Sequence, residues 1–137
     1  MVKFDAKGTF TPDPSGLADQ VQFILSRRTA SITRQIAAQA KMNVPVKTGN
    51  LGRSIQEDPI KATGPFSVSG GVTANTNYAA SVHDGTRPHV IRPKAGKKAL
   101  KFNVGGRTVF AKKVNHPGTR PRPFLKNAAE TVIRRLQ

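Results

Sequence analysis

Apolar residues recur along this chain with two different periods. From Leu17 through Val21, Phe23, Ile24, Ile32 and Ile36 to Ala40, with Arg28 in the same series, they return at three- and four-residue steps, the period of one helical face. This spacing predicts a long amphipathic helix to about Met42, capped by Asp13 or Ser15, with Pro14 at the first position, where no donor is needed. It stops at Asn43-Val44-Pro45, because a residue preceding proline is disfavoured in the helical region. Near the other end, Phe124, Leu125, Ala128, Val132, Ile133 and Leu136 trace a second helical face, with Pro123 at its start.

Between the helices the period shortens to two. Phe66 to Ala74 alternates apolar and small polar residues and reads as a strand, with Gly70-Gly71 pointing to a bulge. Ala99-Leu100-Lys101-Phe102-Asn103-Val104 and Arg107-Thr108-Val109-Phe110-Ala111-Lys112 alternate on either side of Gly105-Gly106, a β-hairpin signature because both turn residues need positive φ. Leu100, Phe102 and Val104 share one face of that hairpin, Lys101 and Asn103 the other. Thr48-Gly49-Asn50-Leu51 reads as a turn, Arg53 to Gln56 as a helical turn or strand start, and Asn77 to Gly85 as a short helix stopped by its glycine. Val114 to Pro123 reads as a Pro-rich connector, and Lys7 to Pro14, polar with one Gly and two Pro, as a loop or arm. The expected organisation is an N-terminal arm, 1–14, and one α+β domain, 15–137.

Composition qualifies this picture. Hydrophobic residues are 36% of the 137, and Trp is absent, so the core should be thin and partners should contribute to burial. Without Cys, no disulfide framework or Cys-ligated metal is available. No apolar run approaches the ~18 residues of a membrane helix and no signal-peptide pattern opens the chain, which predicts a soluble cytoplasmic product. The net charge is +16, unevenly placed: Met1 to Asp84 carries nine basic and six acidic residues, whereas Gly85 to Asn127 carries twelve basic residues and no acid. Such a block implies a polyanionic partner or a strongly positive surface.

Catalytic chemistry finds little to stand on. His83, His89 and His116 show no metal-ligand spacing, and only Glu57 and Asp58 of the acids are adjacent, where strand geometry would point them apart. A nucleophile with His83 and Asp84 can be drawn, but sequence neighbours rarely meet the base–orienter geometry. The glycine pairs match neither phosphate-binding fingerprint. The expectation is no enzyme, no cofactor and no metal. The hairpin and its approaches are more informative: Arg87, Arg92, Lys94, Lys97, Lys98, Lys101, Arg107, Lys112 and Lys113 could neutralise phosphates, or form a solvated face that protects a strand edge. Phe102 and Phe110 could stack on bases, although Phe102, aligned with Leu100 and Val104, reads as core.

Three stretches resemble a known family. Val44-Pro45-Val46-Lys47-Thr48-Gly49-Asn50-Leu51-Gly52-Arg53-Ser54-Ile55, Tyr78-Ala79-Ala80-Ser81-Val82-His83-Asp84-Gly85-Thr86 and Arg120-Pro121-Arg122-Pro123-Phe124-Leu125-Lys126-Asn127-Ala128 are similar, in order, to motifs of the neck and tail-completion proteins that join head connector to tail in tailed bacteriophages. The resemblance spans about Leu17 to Leu136 and implies an α+β fold in which a long helix packs across a small antiparallel sheet. It also implies a structural role in the virion after assembly in the host cytoplasm: a homo-oligomeric ring of six copies between the head connector and tail proteins, through which DNA passes. The adjacent tail-terminator ring is the alternative position, and a non-specific DNA-binding protein the alternative class. On this reading Gly49 permits a tight turn, Thr48 or Asn50 satisfies backbone donors, and Leu51 and Ile55 anchor in the core. Tyr78, Ala79 and Val82 pack on the sheet, Gly85 stops the middle helix, Pro123 directs the last one, and Phe124 and Leu125 plug the core. The basic hairpin either lines the lumen or docks an acidic neighbouring surface.

Overall fold

In the computed structural model, which describes residues 2–4, 10–12, 14–45 and 49–137, the longest element is helix α1, Pro14–Asn43. Its thirty residues extend about 45 Å at 1.5 Å per residue. The last helix, α4, is Phe124–Leu136. Thr33, Ala37 and Ala40 of α1, with Val44 just beyond it, and Phe124, Ala128 and Val132 of α4 are buried, at the three- and four-residue steps of two facing stripes. Alanines at 37, 40 and 128 let the two helices pack closely. The architecture is α+β, as expected from the periods: helices with small antiparallel ladders.

The described chain falls into two compact units, Met1–Ala79 with Phe124–Gln137, and Ala80–Pro123. In the first, α2 (Asn50–Arg53) follows Gly49, whose φ is +75°, and leads into strand β3 (Ile55–Glu57). Leu51 and Ile55 are buried as expected, and Ser54 closes the turn by donating its hydroxyl to the Leu51 carbonyl at 2.8 Å. Asn50 accepts from Arg53 Nη2 at 3.1 Å rather than capping the turn. The roles expected of Asp13 and Thr48, and of the Ser15 side chain, lie outside the described residues.

The strand expected over Phe66 to Ala74 is two strands with different partners. Strand β5 (Ser67–Ser69) pairs with β4 (Lys61–Gly64), and β6 (Val72–Ala74) pairs with β3, while Phe66 sits exposed in the β4–β5 turn. The break falls at Gly70, where a Cβ would meet Ile60 Cδ1 at 2.6 Å and Thr29 Cγ2 at 2.9 Å. A side chain at this position would have to displace Ile60 and, on α1, Thr29, so a glycine stands where the two ladders part. The N-terminal segment also departs from the expected loop: Val2–Phe4 (β1) and Phe10–Pro12 (β2) form an antiparallel ladder. Pro12 stands at the strand end, where its missing donor costs the ladder least.

The second unit takes in all but the first residue of α3 (Ala79–His83), then β7 (His89–Ile91), β8 (Leu100–Val104), β9 (Arg107–Ala111) and β10 (Val114–His116). Strands β8 and β9 form the expected hairpin, Gly105 and Gly106 having φ of +56° and +82°. The start of the expected connector is instead a strand: β10 pairs with β7, and an isolated bridge joins Thr86 to Thr119. Tyr78, expected to pack on the sheet, is 44% exposed in the turn before α3, in which Ala79 is buried and Val82 half-buried. Among the described residues no helix is long and apolar enough to cross a membrane.

Candidate functional site

The second unit holds all nine cations singled out from the sequence, and every one is exposed. Two lie within the hairpin: Lys101 opposite Phe110 in the ladder, and Arg107 opposite Val104 beside the turn. The others occupy the connections. Arg87 precedes β7 and its carbonyl accepts from His89 Nδ1 at 2.9 Å, while Arg92 follows that strand. Lys94 and Lys97 close a turn through a 3.0 Å backbone hydrogen bond, Lys98 precedes β8, and Lys112-Lys113 join β9 to β10.

The charge around them is nearly of one sign. From Ala80 to Pro123 there are eleven Lys and Arg and a single acid, Asp84. The ion pairs of Lys and Arg seen among the described residues are Arg34–Glu57 and Lys126–Glu130, and none of the nine cations takes part. Their charge is therefore directed to solvent, where it attracts an anionic partner over about a Debye length.

Directly opposed residues of an antiparallel ladder share a face. One face of the hairpin carries Leu100 with Ala111, Phe102 with Val109, and Val104 with Arg107; the other carries Lys101 with Phe110 and Asn103 with Thr108. Leu100, Phe102 and Ala111 are half-buried, short of the core position expected for Phe102, while Val104 on the same face is 58% exposed and Phe110 on the other is 66% exposed. The Asn103–Thr108 rung is fastened by a 3.0 Å hydrogen bond from the Thr108 hydroxyl. An exposed aromatic beside a lysine is thus the second half of the site. Its signal was present in the sequence, because a two-residue turn at Gly105-Gly106 sets Lys101 opposite Phe110 by counting back from Val104 and Arg107.

The histidines hold two arrangements, of which sequence reasoning did not anticipate the first. His89 and His116, opposed in β7 and β10, stack with ring centroids 5.1 Å apart. The Gly118 N–H donates to His116 Nδ1 at 3.0 Å, and the His89 Nδ1 donates to the Arg87 carbonyl. His83 Nδ1 and Asp84 Oδ1 lie 2.7 Å apart, the one contact of the triad drawn from the sequence. Asp84 stands just past the end of α3, its N–H still donating to the Ala80 carbonyl at 2.8 Å. Its carboxylate is 74% exposed and stands in water, not in the low-dielectric cleft where such pairs activate a nucleophile.

The remaining positions taken from the motifs are structural. Gly49 and Gly85 both have φ of +75°, Leu51 and Phe124 are buried, and Pro123 immediately precedes α4. A cleft of about 400 Å³ between α1 and the end of α4 is lined by Phe23, Ile24, Ile32 and Leu136 together with Arg27, Arg28, Ser31 and Gln35. No family model matches the chain, and neither the curated proteins nor the solved structures contain a match to it.

Proposed function

We propose that this chain is a non-enzymatic structural component of the head-to-tail joint of a tailed bacteriophage, a ring of six copies at the neck through which DNA passes. The observation that carries the reading is the burial pattern of the second unit. Its 44 residues, Ala80–Pro123, include none that is buried, while all ten buried residues of the described chain lie in the first unit. A segment of that size without Cys cannot be held by its own core, and units near or below about 40 residues usually depend on cross-links, metals or assembly. Packing against neighbouring subunits is what a closed ring supplies. The three motif stretches support the same reading, because their apolar and glycine positions, Val44, Leu51, Ile55, Ala79, Gly85 and Phe124, serve packing and turns.

Light scattering and negative-stain microscopy of the purified protein at low and high salt test this. The expected result is a ring, formed alone or on addition of connector or tail proteins. Nine exposed cations outside any ion pair favour a second reading, a free-standing non-specific DNA-binding protein. A monomer or dimer that coats duplex DNA in a salt-sensitive way and never forms rings would establish that alternative.

A further inference from the structure

Backbone neutralisation explains the lysines of the hairpin but gives Phe110 no role. A phenylalanine that is two-thirds exposed leaves apolar surface in water, and here it does so on the face of β9 turned away from half-buried Phe102. The register puts Lys101 directly across from it, at the separation of about 5 Å typical of cross-strand Cβ atoms. Lys97-Lys98 and Lys112-Lys113 stand at the open end of the same hairpin, so the ring is flanked by cations both across the ladder and along the chain.

We propose that this outer face of the β8–β9 hairpin is a binding site for single-stranded nucleic acid, with Phe110 stacking on one base and Lys101 and the flanking lysine pairs holding the phosphates beside it. An aromatic platform set among cations suits a single strand because each nucleotide offers a flat face and a charge. A duplex would engage the same lysines, but its bases are stacked on one another and offer Phe110 nothing to stack on. A protein surface is the poorer fit. Lysine is depleted from protein interfaces, and five of the six cations at positions 97, 98, 101, 107, 112 and 113 are lysines. Packing this face on the same face of a second copy would set Lys101 and the flanking lysines against themselves, which leaves a ring contact through other surfaces of the unit unaffected. The site is independent of the ring reading, since it needs one hairpin only.

The chain contains no Trp, so Phe110→Trp installs a single indole reporter at an exposed position. The probes are a short oligodeoxythymidylate, a duplex of equal length and poly-L-glutamate, each titrated from about 50 mM to about 200 mM salt. The oligonucleotide is expected to quench the indole, whereas polyglutamate leaves it unquenched. In the otherwise native sequence, Phe110→Ala should weaken oligonucleotide binding about tenfold while leaving duplex affinity unchanged. Lys101→Gln should weaken both and reduce the salt dependence of each. Circular dichroism of all three variants checks the hairpin. Equal quenching by polyglutamate would assign the face to an acidic protein instead. Wild-type affinity in Phe110→Ala, or no binding of the oligonucleotide at all, would equally overturn the proposal, whatever the mass measurements say about rings.

Discussion

Gly85 shows how much a single residue can be constrained by backbone alone. Its φ is +75°, and a Cβ there would stand 2.5 Å from the Thr119 carbonyl oxygen and 2.9 Å from Pro121 N. Gly96, in the Lys94–Lys97 turn, has a similar φ of +83° but open space around it. Gly96→Ala therefore carries only the conformational strain, about 1–3 kcal/mol, while Gly85→Ala adds a collision with backbone that cannot step aside. The expected outcome is that Gly85→Ala abolishes the Thr86–Thr119 pairing, with its hydrogen bonds of 3.1 and 3.0 Å, and Gly96→Ala retains it. Hydrogen exchange at the Thr86 and Thr119 amides reads this directly; equal protection in both variants would contradict it.

At the scale of elements, packing assigns different weights to residues that look equivalent in the sequence. Ile24 and Ile55 are the same side chain, yet Ile24 on α1 is 62% exposed and Ile55 at the start of β3 is 1% exposed. The helical period places Leu17, Phe23 and Ile24 on the apolar face, but all three are largely exposed, and the Arg27 guanidinium lies over the Phe23 ring at 5.7 Å. Ile24→Ser should consequently change stability by no more than about 0.5 kcal/mol. Phe124, 2% exposed at the first turn of α4, should cost about 3–5 kcal/mol when truncated to Ala, and Ile55→Ala about 2–5 kcal/mol. Urea midpoints of the three variants provide the comparison. A large loss in Ile24→Ser would mean that the face is covered in solution.

For the whole molecule, the uneven distribution of burial predicts uneven protection. Hydrogen exchange on the isolated protein should show slow amides in the buried turns of α1 and α4 and fast exchange in β7 to β10, where no side chain is buried. If the proposed ring is right, adding connector or tail components should slow exchange in those four strands. Full protection of the strands in an isolated monomer would show that the second unit is complete by itself and remove the main support for the ring.

Local patterns carried much of this fold. The 3.6-residue period located α1 and α4 because each helix writes its buried face into positions three and four apart, and Gly105-Gly106 set the hairpin and its register because the turn and both strands are contiguous. The nine cations were likewise legible from charge alone. Long-range pairing was not. Strands β7 and β10 are three residues each, their partners lie far apart in sequence, and neither has a turn beside it to announce the other; the His89–His116 stack follows from that pairing alone. The split of the middle strand at Gly70, beside Ile60 and Thr29, and the exposure of Phe110 are likewise set by how surfaces distant in sequence come together. Sequence by itself determined the helices, the hairpin and the positive charge, since each is encoded by neighbours. The tertiary structure alone decided which apolar side chains are left facing water, because burial is a property of the surfaces that meet and not of the residues that form them.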